Sequence, residues 1–246
     1  MDRVYADDYF KGGGAGYPDY LSEERLLVEH GRRYGRLLAR YMEPGTVLDV
    51  GAAAGFVLRG LVDCGWTGRG IEPNAAMAAH ARDRLGLVVS GGTLETMDTT
   101  ERFDLVSMIQ VVAHFRDPRV ALRAAEGLTR PGGYWLIETW NRESWIARVL
   151  GPRWHEYSPP SVLHWFDPEG LRLLAERCGM HEVARGRPAK RIGGRHAVSL
   201  LRHKLPENRL GRLASAALGG IPEALTLPYP LDDVFWMLLR KPDRAS

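Results

Sequence analysis

Asp49 ends a short apolar run and stands two residues before a turn of small side chains, Gly51-Ala-Ala-Ala-Gly55, in the stretch TVLDVGAAAGFVLRGL, residues 46–61. A strand, a glycine turn and a helix ordinarily hold a phosphate on backbone N–H groups. A carboxylate beside such a turn repels an anion, so the ligand it suits is neutral or positive at the end nearest Asp49. Glu72 closes a second predicted strand, TGRGIE, 23 residues beyond Asp49, where an acidic side chain accepts hydrogen bonds from both hydroxyls of a ribose. The two carboxylates together call for an adenosine-type ligand with a cationic end.

Histidine is the side chain best poised for proton transfer near neutrality. Of the eight histidines, His114 follows a predicted strand, and His155 and His164 fall in the segment RWHEYSPPSVLHWF. His164 is the first choice as a general base, with His114 and His155 behind it. His30 and His80 sit in helical patterns and read as packed or solvated. Trp140, Trp154 and Trp165 could stack on an aromatic acceptor, although packing alone accounts for at least one of them. No set of acidic or histidine residues has metal-ligand spacing, so no metal centre is expected.

These residues need a scaffold, and short apolar runs alternating with helical patterns supply one. A helix is expected over 21–43, capped by Ser22, with Leu27, Tyr34, Leu38 and Tyr41 on one face and Pro44-Gly45 as its stop. Strands follow at TVLDVG, TGRGIE, LVVSG, 103–109 and 133–140, with helices at 55–64, 74–85, 118–129 and 167–178 between or after them. Residues 141–165 and 193–230 read as two late insertions around a strand near 180–185. DDVFWMLLRKP reads as a last strand at a sheet edge. Parallel neighbours cannot be joined by hairpins, so this alternation predicts a parallel α/β sheet with right-handed crossovers. The expected organisation is an N-terminal helical cover, 1–45, on a domain over 46–246 whose insertions form the acceptor pocket. Ligands of such sheets bind at the carboxyl ends of the strands, beside the first one.

Gly51, Ala53 and Gly55 give G-x-A-x-G, and the dinucleotide fingerprint G-x-G-x-x-G is absent, which disfavours a nicotinamide oxidoreductase. S-adenosylmethionine fits better: it has no phosphate, and its sulfonium and ammonium are positive. The chain resembles the class I S-adenosylmethionine-dependent methyltransferases, most closely their small-molecule group, through LDVGAAAG, GIEPN, FDLVSMIQVVAHFRDP and LTRPGGYWLIETW, in that order. It departs from the pattern at Ala53, which replaces the middle glycine, and at Ala113, where relatives often carry Glu before the residue matching His114.

The resemblance implies the fuller form of the fold, a doubly wound, Rossmann-like α/β sheet of seven strands, mostly parallel with the last antiparallel. It also implies that Gly51, Ala53 and Gly55 let the backbone approach the methionine moiety, that Asp49 orients the turn and the ammonium, and that Glu72 holds the ribose. It places Pro73, Thr93 and Leu94 around adenine, and Gln110 and Val111 at the methyl end. An aromatic cover from YADDYFKGGGAGYPDY is implied, with Tyr9, Tyr17 or Tyr20 closing over the cofactor and Gly12 to Gly14 as its hinge.

The expected reaction is methyl transfer to a hydroxyl of a small molecule, a secondary metabolite, with S-adenosylhomocysteine as product. N- or C-methylation is an alternative, as is a non-methylating use of the same cofactor, such as a cyclisation or lyase reaction, because fold and cofactor site do not fix the chemistry. A formal charge of +3 with no basic block argues against nucleic acid as the substrate. No apolar stretch reaches the roughly 18 residues of a spanning helix, and the N-terminus lacks a signal-peptide pattern, so a cytoplasmic protein with no membrane partner is expected. Cys64 and Cys178, far apart in sequence, are expected as buried free thiols. Oligomeric state is not legible.

Overall fold

A computed structural model describes residues 20–159, 161–189, 191–193, 226–228 and 232–243. The strands are β1 (Thr46–Val50), β2 (Thr67–Glu72), β3 (Val88–Gly91), β4 (Phe103–Ile109), β5 (Thr129–Trp140), β6 (His181–Gly186), β7 (Arg191–Gly193), β8 (Thr226–Pro228) and β9 (Val234–Arg240). The helices are α1 (Glu24–Leu38), α2 (Phe56–Val62), α3 (Ala75–Leu85), α4 (Pro118–Leu128), α5 (Trp145–Leu150) and α6 (Pro168–Glu176). Seven strands form one sheet in the order β3-β2-β1-β4-β5-β9-β6, and β7 pairs with β8 in a separate two-stranded ribbon. β1 to β5 run parallel, and β9 is antiparallel to both its neighbours. The expected Rossmann-like sheet with an antiparallel last strand is the one observed.

β9 lies inside the sheet, between β5 and β6, and not at its edge as the sequence reading had it. Its first six residues, Val234 to Leu239, are all buried, the unbroken apolar run that a strand covered on both faces requires. The edge belongs to β6, whose burial alternates along His181–Gly186.

The first helix is shorter than the 21–43 expected. Leu21–Glu23 form a 3-10 turn, and α1 then starts at Glu24 with Glu23 as an N-cap that makes no side-chain cap bond, so Ser22 is not the cap. Tyr34 and Leu38 are buried as the pattern requires, but α1 ends at Leu38 and Tyr41 is exposed. α1 packs very close to α2: a Cβ on Gly31 would lie 2.2 Å from the Val57 carbonyl oxygen, and one on Gly60 2.2 Å from that of Val28. Two glycines facing each other thus set the helix separation.

Asp117 and Asp167 cap α4 and α6, each followed by proline at the first helical position. The segment 141–165 is less irregular than expected, since Ser144 accepts a hydrogen bond from Ala147 N and starts α5. Tyr9, Tyr17, the glycines 12–14 and most of the second insertion lie outside the described residues. Cys64 and Cys178 are free thiols, half-buried and not fully buried. No described helix is long and apolar enough to cross a membrane.

Candidate functional site

The parallel strands β1, β2, β4 and β5 deliver their carboxyl ends to one edge, and the turn after β1 lies there. Gly51 and Ala52 donate backbone hydrogen bonds to the Ile71 carbonyl at 2.9 and 3.1 Å, tying the turn to β2. Gly51 and Gly55 have φ of +67° and +81°, and Ala53 has φ of +47°, a left-handed conformation that costs an alanine about 1–2 kcal/mol. That strain is held by Glu72, whose Oε2 accepts from Ala53 N at 2.8 Å while Oε1 accepts from Asn74 N at 2.7 Å. Val111 lies over the turn, because a Cβ on Gly51 would come within 2.6 Å of its Cγ2.

Asp49 is buried at the centre of this edge, and its Oδ1 accepts a 2.6 Å hydrogen bond from Ser107 Oγ on β4. Burial pushes its pKa up to about 7 against the pull of the Ser107 hydroxyl, with the charge of Glu72 adding to the rise. Burial likewise raises the Glu72 carboxyl, opposed by its two backbone donors. Neither carboxylate has an ion-pair partner among the described residues. Two buried acids around a turn that admits close backbone approach fit a ligand carrying positive charge and hydroxyl donors, and do not fit a pyrophosphate.

The flanking residues expected around adenine separate on inspection. Pro73 is exposed at the end of β2, and Thr93 caps the 3-10 turn Leu94–Thr96. The Leu94 side chain is buried in the core with Val50 and Ile71, which leaves its backbone for contact with a ligand. Tyr20 packs beside Ala53, Ala54 and Met77 and stacks on Phe56, with ring centroids 5.6 Å apart. It is therefore fixed against the turn.

Gln110 joins this edge to a cluster that sequence reasoning missed. Its φ is +57°, and both its halves are held by Glu138 at the end of β5: the backbone N–H donates to the Glu138 carbonyl at 2.8 Å, and Nε2 donates to Oε1 at 2.8 Å. The other carboxylate oxygen, Oε2, lies 2.8 Å from His30 Nε2 and accepts from the Tyr34 hydroxyl. Glu138 is 1% exposed. Burial, then the Glu138 charge, keeps the Tyr34 hydroxyl well above its ordinary pKa, so it stays a donor. The signal was a lone carboxylate in the apolar strand YWLIETW, which must find partners when buried.

The segment 141–165 forms an aromatic wall along the same edge. Trp154 is buried and donates from Nε1 to Asp233 Oδ2 at 2.9 Å, while Trp140 and Trp165 are half-buried. His155 packs edge-on against Trp140 at 5.2 Å, with Nε2 3.2 Å from Glu156 Oε1 and 4.0 Å from Asp233 Oδ2. Tyr157 meets Trp154 and Trp165 edge-on. His114 fastens the wall to the loop after β4: its Nδ1 is 2.6 Å from the Ser161 carbonyl oxygen. Burial lowers the His114 pKa, opposed by the carbonyls of Ser161 and Gln110, so the ring is neutral at pH 7. The His164 backbone N–H donates to the Ala113 carbonyl at 3.1 Å, and its Nε2 is buried with no hydrogen-bond partner among the described residues.

Residues 23–183 match the family described as a methyltransferase domain, and the chain belongs to that family, that of the class I S-adenosylmethionine-dependent methyltransferases. It is 32% identical over 144 residues to the ubiquinone biosynthesis O-methyltransferase of Nitrobacter winogradskyi, covering 56% of this chain and 53% of that protein. The protein of the same name from Bradyrhizobium diazoefficiens is 33% identical over 153 residues, covering 54% of this chain and 60% of that one. The chain thus spans little more than half the length of these curated relatives. Among solved structures, a SAM dependent methyltransferase from Archaeoglobus fulgidus superposes with a TM-score of 0.59 at 18% identity, covering 90% of this chain and 99% of that one. The [4+2]-cyclase SpnF superposes with a TM-score of 0.59 at 18% identity, covering 86% of this chain and 82% of that one. At these identities the likeness is one of fold.

Proposed function

We propose that the protein transfers a methyl group from S-adenosylmethionine to a hydroxyl of a small aromatic molecule, a secondary metabolite. The observation that carries this reading is the buried pair Asp49 and Glu72 around the Gly51 to Gly55 turn, two acids with no basic partner among the described residues. The names of the relatives, O-methyltransferases, favour oxygen as the nucleophile. When bound, the cofactor supplies an electrophilic methyl on a positive sulfur. Asp49 faces its cationic end and Glu72 accepts from its ribose hydroxyls. The Gly51, Ala53 and Gly55 backbone admits the methionine part, and Pro73, Thr93 and the Leu94 backbone border adenine. Gln110 and Val111 border the methyl, and Tyr20, packed on the turn, covers the site with α1.

The reaction is an in-line displacement, for which the protein holds the nucleophile at roughly 3–3.5 Å and excludes water. The wall of Trp140, Trp165 and Tyr157 presents aromatic faces and edges to a flat acceptor. His164, whose buried Nε2 has no hydrogen-bond partner among the described residues, lies in this wall beside the acceptor, whereas His114 and His155 position the wall through Ser161 and Glu156. The test is product analysis: the protein is incubated with S-adenosylmethionine and a panel of phenols, catechols and aliphatic alcohols. Acceptor-dependent formation of S-adenosylhomocysteine is expected. An altered acceptor with S-adenosylmethionine unconsumed would assign the chain to a non-methylating use of the cofactor.

A further inference from the structure

We propose that His30 on α1, backed by Glu138 on β5, is the base that takes the proton from the acceptor hydroxyl. This inference rests on the methyl-transfer reading above. His30 Nε2 lies 2.8 Å from Glu138 Oε2, which leaves Nδ1 as the ring nitrogen with no hydrogen-bond partner among the described residues. The His30 side chain is 11% exposed against 1% for Glu138, so of the pair the histidine is the one that solvent reaches. A carboxylate behind an imidazole fixes the tautomer and stabilises the cation that forms when the other nitrogen takes a proton, the arrangement that makes a histidine an effective base.

Position supports the same assignment. Gln110, the residue beside the methyl end, gives its side-chain amide to Glu138 Oε1 while His30 and Tyr34 converge on Oε2. The base, its carboxylate and the residue bordering the methyl therefore form one hydrogen-bonded unit. Left-handed backbone at a glutamine persists only where the surroundings hold it, and here two bonds to Glu138 do so. Among the described residues, the titratable groups against the His30 ring are Glu138 from β5 and Tyr34 from its own helix, at a ring separation of 4.8 Å. By contrast, His114 is engaged through Nδ1 by the Ser161 carbonyl.

The hydroxyl proton passes to His30 Nδ1, and the acceptor oxygen forms the new C–O bond with an electron pair. The C–S bond breaks with its pair remaining on sulfur, which becomes a neutral thioether. Glu138 stabilises the imidazolium until solvent removes the proton.

The test reads ionisation of a bound acceptor analogue and needs no turnover. The full chain is saturated with S-adenosylhomocysteine, followed by calorimetry, and 4-nitrocatechol is added as a chromophoric phenol across pH 5 to 9. With the wild type, the bound probe should ionise at least one pH unit below the free probe. The shift should vanish in His30→Gln, shrink by half or more in Glu138→Gln, and survive in Tyr34→Phe. Equal spectra for wild type and His30→Gln, or no binding of the probe to a complex that holds S-adenosylhomocysteine, would overturn the assignment. If His30→Gln does not fold, an undiminished shift in Glu138→Gln overturns it instead. Failure of S-adenosylhomocysteine to bind at all would show separately in the calorimetry and sink the methyl-transfer reading itself, and this inference with it.

Discussion

Glu72 accepts a 2.8 Å hydrogen bond from the backbone N–H of Ala53, so the carboxylate assigned to the ribose also holds the strained turn on which the methionine part would rest. Substitution therefore acts twice. Glu72→Ala should weaken S-adenosylmethionine by roughly 1–3 kcal/mol and also lower the melting temperature, because the buried N–H groups of Ala53 and Asn74 lose their acceptor. Glu72→Gln keeps one carbonyl oxygen and should lose less of both. Calorimetry and thermal unfolding on the two variants check this; unchanged affinity in Glu72→Ala would mean that the ribose lies elsewhere.

Asp49 predicts a pH dependence whose sign is set by its raised pKa. With the folded value near 7 and the ordinary value 3.8, its contribution to stability is fully present below about 4 and is lost as pH rises through 7. A cationic ligand favours the carboxylate, so binding releases a proton below pH 7 and affinity should rise from pH 6 to 8, by up to about tenfold per unit below 7. Titration in buffers of different ionisation enthalpy measures the proton released. Asp49→Asn should flatten the profile, and an unaltered profile in that variant would remove Asp49 from the ligand's reach.

His164 offers a split between parameters. Its buried Nε2 has no partner among the described residues, so His164→Ala should raise the acceptor KM severalfold while leaving S-adenosylmethionine affinity within twofold. Steady-state kinetics varying each substrate in turn would show it. Loss of cofactor affinity to the same extent would make His164 a residue of the scaffold.

The contact between α1 and α2 should tolerate no added methyl. At Gly31 the obstruction is the Val57 carbonyl oxygen at 2.2 Å, backbone that cannot rotate away, so Gly31→Ala should destabilise the fold by about 3 kcal/mol. Denaturant unfolding tests this. A neutral result would mean that α1 is held loosely and can slide over α2.

The strand, turn and helix around Asp49 were legible because they are local: the small residues of the turn lie within TVLDVGAAAGF, and Glu72, which holds them, ends the next strand. The interior place of β9 was written in VFWMLLR but was overridden by its position near the chain end. α5 escaped because it spans six residues, too few to show helical periodicity. The pairing of His30 with Glu138 joins residues 108 apart on two elements, α1 and β5, and His30 alone fits an amphipathic face. Only Glu138, a charge in a buried strand, announced that something must meet it. The end of the first helix is hidden in the sequence because Tyr41 continues the apolar period after the hydrogen-bonded helix has ended at Leu38.

The proposed function stands on the binding of S-adenosylmethionine at the edge around Asp49 and Glu72. The most direct test is parallel calorimetric titration of the purified protein with S-adenosylmethionine, S-adenosylhomocysteine and NADH. Micromolar binding of the first two with no signal from NADH is the predicted result. Binding of NADH alone, or no heat from S-adenosylmethionine at several temperatures, would contradict it.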